Sequence, residues 1–184
     1  MGFVMSLKAI IMTALSKEEM TGYDITNGFK VAWGHFWHAS HQSVYRELAS
    51  LLKNELVSFT ETAQDGKPDK KSYALTDKGR SELVQWLETP IKPKKVNDEL
   101  LIKFFAGDVI EVKVLCDDAR ALQQASEQKL QSLLHIKNTV FADLGDDAPQ
   151  HAKCAYLSLR KGILQLNANI QWCEEVLVML DEEH

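Results

Sequence analysis

Residues 36–56 read F-W-H-A-S-H-Q-S-V-Y-R-E-L-A-S-L-L-K-N-E-L, and the fold turns on how that stretch is read. Ser40 is a good helix N-cap, because its hydroxyl can accept a hydrogen bond from a first-turn amide, and Val44, Leu48 and Leu51 then recur at helical spacing. Gln42, Arg46, Ala49 and Lys53 fall on the opposite side. The spacing therefore predicts a helix with one buried and one outward face. The outward face opens with Gln42 and Arg46 one turn apart, flanked by Ser43 and Tyr45, all of them groups that reach base edges or phosphates. An amphipathic surface helix with no such role has the same periodicity, so the flanking segments must decide between the two.

Upstream, Leu7, Ile10, Ile11, Ala14 and Leu15 predict a first helix that ends near Ser16, followed by a turn at K-E-E-M. A second helix should open around Thr21-Gly22-Tyr23-Asp24 and carry Ile25, Phe29 and Ala32 inward, with Phe36 continuing the stripe past a break at Gly34. Downstream of Leu56 the period changes to two: Val57 and Phe59 point one way, Ser58 and Thr60 the other. The turn-rich run Gln64–Asp69 and a second alternating run, Ser72-Tyr73-Ala74-Leu75, complete a β-hairpin whose tip is made basic by Lys67, Lys70 and Lys71. Thr76 then caps a fourth helix with Leu83, Trp86 and Leu87 inward, and Pro90 stops it.

Three helices, a basic two-stranded hairpin and a further helix are the parts of a winged helix-turn-helix. The runs T-G-Y-D-I-T at 21–26, H-Q-S-V-Y-R-E-L at 41–48, L-V at 56–57, D-G-K-P-D-K-K-S-Y-A-L-T at 65–76 and G-R at 79–80 resemble the PadR family of bacterial transcription regulators. The approach F-W-x-A-S-H-Q is similar to that of its AphA-like branch. The resemblance covers about residues 6–90 and implies a double-stranded DNA operator as partner, contacted by Ser40, His41, Gln42, Ser43, Tyr45 and Arg46 of the reading helix and Lys67, Lys70 and Lys71 of the wing. It gives His41 in particular a place on the DNA side.

The domain plan is then residues 1–90 for DNA binding, a linker at 91–96 and a helical domain at 97–184. P-I-K-P-K-K at 90–95 is a stiff solvated run that continues neither helix nor strand. A short helix should follow over Asn97 to Ala106, then a long one from Asp108 to about Leu144 in which Val109, Val112, Cys116, Ala119, Ser126, Leu130, Leu133, Val140 and Leu144 keep three-four spacing. G-D-D-A-P at 145–149 breaks it. Tyr156, Leu159, Ile163, Leu166, Ile170, Cys173, Leu177 and Leu180 form an unbroken coiled-coil seam. Two long helices joined by a tight turn make an antiparallel hairpin that leaves apolar edges uncovered, and a second copy of the chain is the natural cover. The expected fold is mainly α with a small β-hairpin, and Tyr156, Leu159, Ile163, Leu166, Ile170, Cys173 and Leu177 are the candidate homodimer interface. AphA-like members are similar in dimerising through a C-terminal helical region.

Composition agrees with an ordered globular chain: 45% hydrophobic, 26% charged, four Pro and nine Gly in 184 residues. Its net charge of −5 divides into −1 over residues 1–90 and −4 over 91–184, so the acidity lies mostly outside the half assigned to DNA. Cys116, Cys154 and Cys173 lack metal-type spacing and read as buried, reduced thiols of a cytoplasmic protein. No apolar run is long enough to span a bilayer, and the start lacks a signal-peptide pattern. M-G-F-V-M-S matches the short myristoylation pattern, and Met5 is an alternative start.

Little in the chain suggests catalysis. There is no G-x-S-x-G, no phosphate-cradling glycine loop and no paired carboxylate site, and Asp117-Asp118, Asp146-Asp147 and Glu174-Glu175 read as solvated pairs. His35, His38 and His41 step by about 300° each on a helix, so the three cannot converge on one metal, and neither a metal nor a cofactor is expected. Trp33, Trp37 and Trp86 are either core residues or the lining of a small-molecule pocket near the dimer interface, where some PadR members bind ligands. Two other readings thus stand beside the plain DNA-binding regulator: a repressor switched by a small-molecule effector, and a scaffold whose helical hairpin binds a second regulator.

Overall fold

The computed structural model describes residues 3–31, 37–64, 67–91 and 97–180. They fall into two compact units, Met1–Pro93 and Lys94–His184. The first contains α1 (Phe3–Leu15), β1 (Met20–Thr21), α2 (Gly22–Val31), α3 (His41–Lys53), β2 (Val57–Gln64), β3 (Lys67–Leu75) and α4 (Asp77–Glu88). The sheet runs β1-β3-β2, both pairings antiparallel. The third strand corrects the expected two-stranded hairpin: Met20 and Thr21, read as turn and helix start, pair with Tyr73 and Ser72. Two residues are too few to show an alternation, and their partner lies about fifty positions on.

One core holds the unit together. Ile11, Met12 and Leu15 of α1, Ile25 and Phe29 of α2, Val44, Leu48 and Leu51 of α3, and Leu56, Val57, Tyr73 and Leu83 form a single buried cluster, with Leu7 and Ile10 at its margin. The inward stripe of α3 is thus the one its spacing predicted. Ala32, Gly34 and Phe36 lie outside the described residues. Two inward assignments fail. Phe59 is 40% exposed, because it stands on the edge strand β2, outside its buried cross-strand partner Tyr73, on which its ring packs at 6.1 Å. Leu87 is 59% exposed and Trp86 half-buried, because α4 presents Leu83 to the core on a narrower stripe.

The corner between α3 and α4 fixes both helices. Glu55 adopts a positive φ of 60°, Thr76 donates its hydroxyl to the Glu55 carbonyl at 2.8 Å, and the Thr76 amide donates to the Leu56 carbonyl at 3.1 Å. Thr76 also caps α4, accepting from the Gly79 amide at 3.0 Å. Gly79 packs so closely that a Cβ there would stand 2.0 Å from the Leu56 carbonyl oxygen.

The second unit consists of α5 (Glu99–Phe105), α6 (Val112–Val140) and α7 (Gln150–Leu180). Asp98 caps α5 by accepting from the Leu100 amide at 3.0 Å. Helices α6 and α7 pack along their lengths, with Leu133, Leu159 and Ile163 as a buried centre flanked by Leu130, Ile136, Phe141 and Leu166. Tyr156 meets Phe141 at 5.6 Å, and Phe104 of α5 stands edge-on to Trp172 at 4.9 Å. Helix α6 is shorter than expected: Val109 is 78% and Val140 68% exposed, and Leu115 joins Cys116 and Ala119 among its buried positions. Cys116 and Cys173 are buried, whereas Cys154, expected to be so, is exposed on α7.

The α7 seam is largely used within one chain. Leu159, Ile163 and Cys173 are almost fully buried, and Tyr156, Leu166, Ile170 and Leu177 half-buried, before any second copy is added. The uncovered apolar edge is a different stripe: Leu157, Leu164 and Val178, at multiples of seven, are 64%, 57% and 78% exposed.

Candidate nucleic-acid interface

The exposed side of α3 is built from its first two turns. Ser40, extended at φ −76° and ψ 154°, accepts from the Ser43 amide at 3.1 Å, and the two hydroxyls lie 2.8 Å apart. His41, Gln42, Tyr45 and Arg46 are exposed and Ser43 is half-buried. Because Val44 and Leu48 are fully buried beneath them, the ridge is held at a fixed height over a rigid core. The His41 and Tyr45 rings stack at 4.4 Å.

Tyr45 rests on the start of α2. Gly22 leaves the room for it, since a Cβ there would lie 2.7 Å from Tyr45 Cζ and 2.8 Å from its hydroxyl oxygen. The α2 terminus is itself closed by a reciprocal cap. Asp24 Oδ2 accepts from the Thr21 hydroxyl at 2.6 Å and the Thr21 amide at 3.1 Å, while the Asp24 amide donates to Thr21 Oγ1 at 3.1 Å. Those hydrogen bonds, the hydroxyl's first, hold the Asp24 carboxyl below the ordinary carboxylate range, and Lys70 adds to the effect. Sequence reasoning took T-G-Y-D as a helix start but did not see that it seats a side chain of the next helix. The T-x-x-D spacing was the available signal for the cap.

The wing lies across this ledge. Thr21, Gly22, Asp24, Tyr45, Lys70 and Tyr73 help to line a cleft of about 490 Å³. Lys70 is exposed and, among the described residues, in no ion pair. Lys71 is tied back: its ammonium meets Glu61 at 2.9 Å across the strands and lies 4.7 Å over the Phe59 ring. The wing is therefore less positive than its lysine count. Both lysines sit on the strand β3, not on a loop. Lys67 begins that strand, paired with Gln64, and its side chain, like residues 65 and 66, lies outside the described residues.

The candidate tryptophans do not come together. Trp37 is packed on the core and borders a cavity beside α3, Trp86 borders a separate one between α1 and α4, and Trp33 lies outside the described residues. His38 and His41 are exposed and His35 is outside the described residues, among which no cluster of metal-ligating side chains occurs. No helix among them is long and apolar enough to cross a membrane.

A short helix pair, a core-locked third helix with a polar outward ridge, and a lysine-bearing hairpin beside it define a winged helix-turn-helix protein. The model of the transcriptional regulator PadR-like family matches residues 11–85, and that of the virulence activator alpha C-terminal region matches residues 96–181. The negative transcriptional regulator PadR of Bacillus subtilis is 33% identical over 96% of this chain and 98% of its own, and a probable transcriptional regulator of Mycobacterium tuberculosis is 32% identical over 97% and 100%. Among solved structures, B. subtilis PadR in complex with operator DNA superposes with a TM-score of 0.81 at 32% identity, covering 95% of this chain and 99% of that one. The same protein in complex with p-coumaric acid gives 0.77 at 31%, over 96% and 99%. The Vibrio cholerae virulence activator AphA gives 0.81 at 31%, over 97% and 99%. The chain belongs to the PadR-like family of transcriptional regulators, with an AphA-type C-terminal region.

Proposed function

We propose that the protein is a cytoplasmic, homodimeric regulator, a binding protein and not an enzyme, that recognises a specific double-stranded operator through α3. The observation that carries this reading is the division of labour on that helix: Val44, Leu48 and Leu51 are fully committed to the core, while Gln42, Arg46 and Tyr45 are exposed. Gln42 and Arg46 read base edges in a major groove, Ser43, Tyr45 and the Ser40 cap hold the backbone, and Lys70 reaches phosphate. Lys71, paired with Glu61, contributes less. The B. subtilis relative with operator DNA supports the assignment.

The dimer is covered by the outward stripe of α7, with Leu157, Leu164 and Val178 carrying the contact and the partly buried seam residues Ile170 and Leu177 at its edge. Two α3 helices at a fixed separation then bind two half-sites together. Selection of bound sequences from random DNA, followed by titration of the selected site and a scrambled one at several salt concentrations, tests the proposal. Enrichment of a two-fold-related sequence bound at least ~10³-fold more tightly than scrambled DNA is expected; equal affinity for both refutes sequence recognition.

A second reading is favoured by the p-coumaric acid complex of the B. subtilis relative: DNA affinity switched by a small-molecule effector. Loss of operator binding on addition of p-coumaric acid or a related phenolic acid supports it, and unchanged binding at saturation counts against it.

A further inference from the structure

We propose that the cavity beside the first two turns of α3 binds a small organic cation, an ammonium or amidinium carried on an aromatic ring, through the carboxylate of Glu47. The cavity has a volume of about 500 Å³ and is bordered by Leu7, Trp37, His38, Ser43, Arg46 and Glu47, a size that suits a single-ring ligand.

Glu47 is the anomaly in this wall. It is 8% exposed, yet among the described residues no hydrogen-bond donor or cation meets its carboxylate. A buried carboxylate without a partner is costly, and such groups are normally paired. Lys8 and Arg46, the two described cations whose charge acts on it, do not pair with it. Lys8 lowers the electrostatic cost of its charge from a distance but is ion-paired to Glu82 on α4. Arg46 precedes it on the helix and is exposed. Burial accordingly raises the Glu47 carboxyl above its ordinary range, with Lys8 and then Arg46 pulling it back.

An ammonium entering the cavity would supply the missing donors in a charge-assisted contact. The apolar wall of Leu7 and the indole of Trp37 would take the ring, and an aromatic face also favours the positive charge. A ligand seated there would touch Ser43 and Arg46, so its consequence for DNA rests on the reading of α3 given above. Its binding does not.

The test is therefore made without DNA, on the full chain at neutral pH. Benzylammonium, benzyl alcohol and benzoate are titrated by isothermal calorimetry, with ligand-observed NMR to register weak complexes. Benzylammonium should bind about tenfold or more tightly than benzyl alcohol, and benzoate should bind least, as one charge-assisted hydrogen bond implies. Glu47→Gln, whose folding is checked by circular dichroism, should abolish the preference for the ammonium. The three-probe comparison on the unmodified protein stands whatever becomes of the variant. Equal binding of the three probes, a preference for benzoate, no detectable benzylammonium complex at millimolar concentration, or an undiminished preference in folded Glu47→Gln each overturns the proposal.

Discussion

Gly22→Ala should lower DNA affinity without weakening the fold, although residue 22 is not among the proposed DNA contacts. The new methyl would stand 2.7 Å from Tyr45 Cζ. Carbon atoms in contact prefer about 3.5–4.0 Å, so the phenol must retreat by roughly 1 Å, and the stacked His41 ring with it. The atom displaced is the far end of an exposed side chain, so the move is cheap for the fold. The lost backbone freedom of the unfolded chain favours alanine by about 0.4–1 kcal/mol, and the melting temperature should hold or rise. A hydrogen bond from Tyr45 to a charged phosphate is worth about 1.5–3 kcal/mol, which is a loss of roughly 10- to 150-fold for each subunit affected. Since a phosphate carries no sequence information, the loss should appear on scrambled DNA as well. Fluorescence anisotropy with Gly22→Ala, Tyr45→Phe and the double variant closes a thermodynamic cycle. If the glycine acts through Tyr45, the double variant is little worse than Tyr45→Phe. Additive losses, or wild-type affinity in Gly22→Ala, would refute the argument.

Arg46→Ala should cost about 1–3 kcal/mol on the selected operator and little on scrambled DNA, whereas Lys70→Ala should weaken both alike and flatten the salt dependence by about one unit of slope. The reverse pattern in the titrations would exchange the two roles. Glu47→Gln should raise the melting temperature at neutral pH. The folded state raises this carboxyl above the ordinary 4.5, so the wild type is stabilised by keeping its proton below that value and loses this as pH rises through the elevated one. Thermal scans should therefore converge below pH 4.5, and a gap that widens on acidification contradicts the assignment. Ile163→Asp puts a charge into the α6–α7 centre, where the residue is 2% exposed, and should reduce helix content itself. Leu164→Asp, on the 57% exposed position next to it, should keep the helices and release monomers in light scattering; a stable dimer would take the interface off that stripe.

Where local chemistry decides a feature, the sequence was sufficient. The Ser40 and Thr76 caps, the inward triplet Val44, Leu48 and Leu51, and the outward Gln42 and Arg46 all follow from spacing and side-chain type within one helix. What escaped depends on partners distant in the chain. β1 exists because residues 72 and 73 return to it, and the Lys71 charge is paired with that of a glutamate ten positions earlier on the facing strand. Glu47 is buried beside a cavity that Leu7 of α1 also borders, something that a charge between Arg46 and Leu48 gives no sign of. The seam of α7 was visible as a seam, but periodicity does not say whether the partner helix belongs to the same chain.

The separation of faces on α3 has a consequence for how such a regulator changes over time. Gln42 and Arg46 are exposed and Val44, Leu48 and Leu51 are shut away from the surface, so on the proposed reading of α3 substitutions at 42 and 46 retune the preferred operator at almost no cost in folding. Position 45 has no such liberty. Its ring and the glycine beneath it occupy one shared volume, and a lineage that enlarges residue 22 must first give up the tyrosine or move it. On that reading, target choice is free to drift along one edge of the helix and anchored along the other.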